Sequence, residues 1–142
     1  MLRKYDYGDG FDETARVPVE LHRLQDLIDS AEVPPPHFLK IDVLGFEYEV
    51  LLGLGDRLDS VVALELEAQF DEMYWGQALF HQIYQWLFSR GFGLVAIRPQ
   101  WILGYNVFEV NAFFARNPAT LSEEDRHLRE FWVRLNRISH PG

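Results

Sequence analysis

His37–Val43 (HFLKIDV) and Ser60–Glu67 (SVVALELE) decide the fold, together with what lies between them. Both are apolar runs of strand length, and the second begins with continuous apolar residues and ends in acids. Gly45 punctuates the first run, Phe46–Leu52 suits one or two helical turns, and Gly53 or Gly55 ends those turns. Strand, helix, strand in that order implies a right-handed βαβ unit with parallel strands. Asp42 then falls at the C-terminal end of a strand, beside the crevice where open α/β sheets bind ligands.

Towards the N-terminus, Pro34-Pro35-Pro36 stops any helix and launches the first strand in an extended conformation. Leu21, Leu24, Leu27 and Ile28 recur at helical spacing and predict a short amphipathic helix over Glu20–Asp29. The start is polar and Gly-rich, with Asp6, Gly8, Asp9, Gly10 and Asp12 favouring turns. Towards the C-terminus, Gln77–Arg90 predicts a helix with Leu79, Phe80, Ile83, Tyr84 and Leu87 as its apolar face and Gly91 just past its end. Phe92–Arg98 reads as a strand stopped by Pro99, and Asn106–Arg116 (NVFEVNAFFAR) as another. The short loop through Gly104 between them favours an antiparallel hairpin. Ser122 opens a final helix as N-cap, with Glu123, Glu124 and Asp125 in its first turn and Leu128, Phe131, Trp132, Leu135 and Ile138 as its apolar stripe. Its arginines, Arg126, Arg129, Arg134 and Arg137, are expected to form a solvated face. The expected fold is α/β, a mainly parallel sheet with a closing antiparallel hairpin and a C-terminal helix. It forms a single domain over 1–142 without internal repeat or linker.

Composition narrows the function classes. The chain has 142 residues and a net charge of -9, so phosphate backbones and anionic lipid repel it, and neither a nucleic acid nor a membrane is an expected partner. It has no cysteine, which excludes disulfides, a thiol nucleophile and a thiolate metal site. MLRKYDYGDG contains no apolar signal region, and the cytoplasm is the expected compartment. His22, His37, His81, His127 and His140 show no H-x-x-x-H or H-x-H spacing, so no metal is assigned. No G-x-S-x-G turn marks a serine hydrolase.

Five stretches, taken in order, resemble the FkbM-type S-adenosylmethionine-dependent methyltransferases. KIDVLGFEYEVLLGL (Lys40–Leu54) is similar to the family's Lys-Ile-Asp-Val-Glu-Gly-x-Glu strand and turn with its leucine-rich helix. VPVELHRLQDLI (Val17–Ile28) resembles its preceding strand and the helix start that follows it, and VVALELE (Val61–Glu67) its next strand, which ends in Glu. FHQIYQWLFSRGF (Phe80–Phe92) resembles its following helix and Gly-Phe turn, and VNAFFAR (Val110–Arg116) its last strand. The resemblance covers about Val17–Arg116, leaving residues 117–142 as a C-terminal helical extension. Leu44 stands where the family has an acid, Phe46 where it has a small residue, and Gln25 where the helix motif has Asp.

The resemblance implies the C-terminal half of a Rossmann-like methyltransferase sheet, S-adenosylmethionine as cofactor and O-methyl transfer to a small molecule or sugar. The family's Gly-rich cofactor turn has no counterpart here, since Gly8 and Gly10 follow no apolar strand. A truncated or degenerate half is therefore expected, inactive alone and complemented by an N-terminal half. The alternative is a non-catalytic interaction or homo-oligomerisation module. Asp42, Glu47 and Glu65 are the candidate catalytic residues. Asp42 either faces substrate or accepts hydrogen bonds from the Gly45 turn. Glu47 is either a substrate-side acid or one favoured by the helix dipole. Glu65, at the family's strand-end Glu, either joins Asp42 and Glu67 at the sheet edge or is simply solvated. Lys40 suits a strand residue or ion-pair partner, while Tyr74, Trp75 and Trp101 fall in loops.

Overall fold

The computed structural model describes residues 15–138. The expected turns at Asp6, Gly8, Asp9, Gly10 and Asp12 lie outside the described residues, as does His140. The elements are α1 (Leu24–Asp29), β1 (Phe38–Ile41), α2 (Glu47–Gly53), β2 (Ala63–Gln69), α3 (Phe80–Ser89), β3 (Phe92–Leu103), β4 (Asn106–Arg116) and α4 (Glu123–Ile138), with short 3-10 turns at Gly55–Ser60 and Pro118–Thr120. The order read from hydrophobic periodicity therefore stands, although α1 is shorter than Glu20–Asp29.

The strands form one sheet in the order β1-β2-β4-β3. β1 pairs with β2 in parallel, Lys40 opposite Glu65, through the α2 crossover. The other pairings, β2 with β4 and β4 with β3, are antiparallel. The sheet is thus mixed rather than mainly parallel. The cause is β4, which inserts between β2 and β3. Its run Ala112–Ala115 is buried throughout, as a strand covered on both faces must be. β3 takes the edge, where Pro99 does not stop it: the strand continues to Leu103, with register irregularities around Pro99 and Trp101. An edge strand tolerates proline because an outward-facing position has no ladder bond to lose. Trp101 consequently lies on a strand, edge-on to Phe108 at 5.3 Å, and not in a loop. The β3–β4 hairpin turns at Gly104–Tyr105, where Gly104 takes a φ of 64° that suits glycine.

Side chains alternate along each strand. One face of the sheet, with Ile41, Leu64, Leu66, Ala68, Val110, Ala112 and Phe114, forms the core with Leu51 and Leu54 near α2 and with Ile83 and Leu87 of α3. Each fully buried Leu, Ile, Val or Phe of this core contributes about 1.5–3 kcal/mol. The other face carries α4, whose Trp132 meets Phe113 with ring centroids 5.9 Å apart. Ser122 caps α4 as expected, its Oγ accepting from the Asp125 amide at 3.1 Å. The α4 stripe is only partly used, since Phe131 and Leu135 remain largely exposed. Its arginines are not one solvated face: Arg129 Nε donates to the Arg116 carbonyl at 2.6 Å.

Candidate functional site

Asp42, Glu65 and Glu67 share the sheet face opposite the helical core, because they lie two residues apart along β2 or follow Lys40 in register with it. β4 adds Glu109 and Asn111 to the same face, opposite Gln69 and Glu67. Asp42 thus lies just past β1, beside the acids and amides of β2 and β4, whereas β2 runs on to Gln69 and leaves Glu65 inside the strand rather than at its end. Lys40 is the cation among them. Its Nζ donates to Asp42 Oδ2 at 2.8 Å, and that bond, with the charges of Asp42, Glu65 and Glu67, raises the lysine's pKa.

The turn beside Asp42 is built by a different acid. Glu47 is only 1% exposed, and its Oε1 accepts from the Val43 amide at 3.0 Å and the Gly45 amide at 3.3 Å. Glu47 rather than Asp42 holds the Gly45 turn, whereas Asp42 is exposed and paired with Lys40. Burial pushes the Glu47 pKa above the usual carboxylate range, the amide hydrogen bonds oppose that, and the charge of Asp42 adds to it. The turn itself is left-handed twice over, with φ of 55° at Leu44 and 93° at Gly45. A Cβ at Gly45 would stand 2.8 Å from Tyr74 Cδ2, so the turn lies directly on the loop that follows β2.

That loop is joined to the acids by a chain of amides. Gln77 Oε1 accepts from the Met73 and Tyr74 backbone amides at 2.8 and 2.6 Å. Gln77 Nε2 donates to Gln69 Oε1 at 2.7 Å, and Gln69 Nε2 donates to Glu109 Oε2 at 2.9 Å. Glu67 ends the chain. Burial, and then the charges of Glu109, Asp42 and Glu47, push its pKa up to about 7, and a carboxyl hydrogen bond to Glu109 adds to the rise. Sequence reading discussed Glu67 but missed Glu109, Gln69 and Gln77. Alternation places Glu109 and Asn111 on one face, yet only the β2–β4 register sets Glu109 opposite Gln69.

The Gly45 turn does not offer free amides to S-adenosylmethionine. β1–Gly45–α2 is a strand, turn and helix of the kind whose backbone can approach a cofactor. Here, however, the Val43 and Gly45 amides already donate to a buried acid, and Gly45 faces the Tyr74 ring instead of open space. Among the described residues no cluster of three or more histidines and acids is arranged to hold a metal ion.

A mixed α/β sheet with a cluster of acids on one face beside its parallel strands is the class that fold and site define. The methyltransferase FkbM domain family matches residues 4–94, which include β1, α2, β2 and α3, and the chain belongs to that family. A 48-residue stretch is 46% identical to the hexuronic acid methyltransferase AglP of Haloferax volcanii, covering 32% of this chain and 20% of that protein. The chain thus aligns with about a fifth of that relative's length. No solved structure matches the chain. No helix among the described residues is long and apolar enough to cross a membrane.

Proposed function

We propose that residues 15–138 form the acceptor-side half of an FkbM-type O-methyltransferase acting on a hydroxyl of a small molecule or sugar. Membership of the family, joined to the acids that Asp42, Glu65 and Glu67 place on one face beside β1 and β2, carries this reading. Ionised carboxylates accept hydrogen bonds without donating them, so such a face suits a hydroxyl-rich acceptor. In this reading Asp42 and Glu65 orient the acceptor hydroxyl, and one of them takes its proton. Glu47 is a positioning residue, acting through the turn that carries Asp42. S-adenosylmethionine, the family's methyl source, is then held by other residues, supplied by a complementing N-terminal half.

The test is methyl transfer from labelled S-adenosylmethionine to a panel of neutral sugars and sugar acids. The chain is supplied alone and together with a separately produced N-terminal half of an FkbM methyltransferase. Transfer by the mixture and by neither half alone is the expected result, with Asp42→Asn lowering the rate about 100-fold as loss of a positioned proton acceptor would. A mixture no more active than the N-terminal half alone contradicts the proposal.

One observation favours a second reading, a non-catalytic module. Val43, Leu44 and Phe46 are 43%, 53% and 45% exposed beside β1, an edge strand of the described sheet. An open edge flanked by apolar side chains is a pairing template. Sedimentation that shows a stable homo-oligomer, abolished by Leu44→Glu with Phe46→Gly, would support the module.

A further inference from the structure

Gln69 and Gln77 are polar side chains only 1% and 4% exposed, and their hydrogen bonds admit a single orientation. Gln77 Oε1 must accept, because it meets the backbone amides of Met73 and Tyr74. Its Nε2 must then donate to Gln69 Oε1, which leaves Gln69 Nε2 to donate to Glu109 Oε2. Glu109 Oε2 therefore accepts at the end of the relay, whether the proton shared by the two carboxyls is on Glu67 or on the other oxygen of Glu109. Among the described residues, Glu67 Oε2 is buried and receives no N–H or O–H donor. An ionised Glu67 would leave that oxygen both unpaired and shielded, the costly state for a charge.

The groups facing Glu67 make ionisation harder still. Glu109 approaches from β4, Asp42 from the end of β1 and Glu47 from α2, and the charges of all three raise its pKa. Lys40 on β1 is the nearby cation, but it is engaged by Asp42 at 2.8 Å. Arg98 on β3 is turned towards α4, where its Nη2 donates to the Asn136 carbonyl at 3.2 Å, and it lies over the Phe113 ring.

We propose that the Glu67–Glu109 pair is a proton-operated latch for the Met73–Gln77 loop, transmitted through Gln69 and Gln77. With the proton in place, Glu109 stays where Gln69 needs an acceptor, and the loop is held on the Gly45 turn. When the proton leaves, two carboxylates on neighbouring strands repel each other and Glu109 swings towards solvent. The buried amides then lose their terminal acceptor, and the loop they hold opens more readily. The direction follows from linkage. A carboxyl whose folded pKa lies above its unfolded value stabilises at low pH, and that stability is lost as pH rises towards about 7.

The experiment is NMR on the intact chain from pH 4.5 to 8.5. It follows the Glu67 side-chain carboxyl and the exchange protection of the Met73 and Tyr74 amides, corrected for intrinsic exchange rates. Protection of both amides is expected to fall about tenfold or more on a midpoint shared with the Glu67 carboxyl. Glu67→Gln, whose amide imitates the protonated acid, is expected to keep them protected throughout. Titration of Glu67 in the ordinary carboxylate range overturns the latch, and so does the same pH course of protection in Glu67→Gln. If the variant fails to fold, the wild-type midpoints decide alone: matching midpoints near neutrality support the latch, and separate ones overturn it.

Discussion

Glu47 is pulled in opposite directions by burial and by the Val43 and Gly45 amides, and the balance can be read by substitution. Glu47→Ala leaves those amides without an acceptor, and about 2–4 kcal/mol of stability to urea is expected to go with them. Glu47→Gln keeps an acceptor oxygen and removes the buried charge, so its midpoint should lie within about 1 kcal/mol of wild type. The neighbouring turn gives a pair of opposite signs. Gly45→Ala meets both a positive φ and the Tyr74 ring, and should lose about 1–3 kcal/mol. Leu44→Gly relieves a left-handed leucine that is 53% exposed, and should raise the thermal midpoint, the gain being up to about 1 kcal/mol. The place of Asp42 just past a strand was legible at this scale, because Gly45 ends the apolar run in the sequence, whereas the end of β2 was read too early, at Glu67 instead of Gln69. The role of Glu47 was not legible, since an acid in a first helical turn looks solvated until its burial is known.

The elements are pinned at the opposite end of the sheet by Arg116 of β4. Its Nε donates to the Val61 carbonyl at 3.0 Å, Nη2 to Leu58 at 2.7 Å and Nη1 to Arg90 at 3.3 Å, with the guanidinium over Phe92. One side chain thus ties the start of β2, the 3-10 turn before it and the end of α3. Arg116→Met should cost about 2–4 kcal/mol in a denaturant titration, because carbonyls that accept from a charged donor are stranded. Arg116→Lys should restore only part of that, since a single ammonium cannot reproduce the fork. Element order was written in the hydrophobic period and in Gly91, Gly104 and Ser122. Strand order was not. Periodicity shows that Asn106–Arg116 is a strand, whereas its place between β2 and β3 depends on burying Ala112–Ala115 from both sides. For the same reason Pro99 was misread as a stop: a proline's tolerance depends on whether its strand is an edge.

At the scale of the molecule, the family is established by residues 4–94, and Asp42, Glu65, Glu67 and Glu109 share one face of the sheet beside its parallel strands. A net charge of -9 and a face of carboxylates suit a hydroxyl-rich acceptor better than an anionic one, so neutral sugars are expected to outperform sugar acids in the transfer assay. In the proposed reading this chain supplies the acceptor wall, other residues supply the cofactor pocket, and that division of labour is open to direct test. Isothermal titration of the purified chain with S-adenosylmethionine tests that division most directly. No saturable heat in the micromolar range is the expected result, because the Gly45 turn spends its amides on Glu47. A micromolar site on this chain alone would contradict the account.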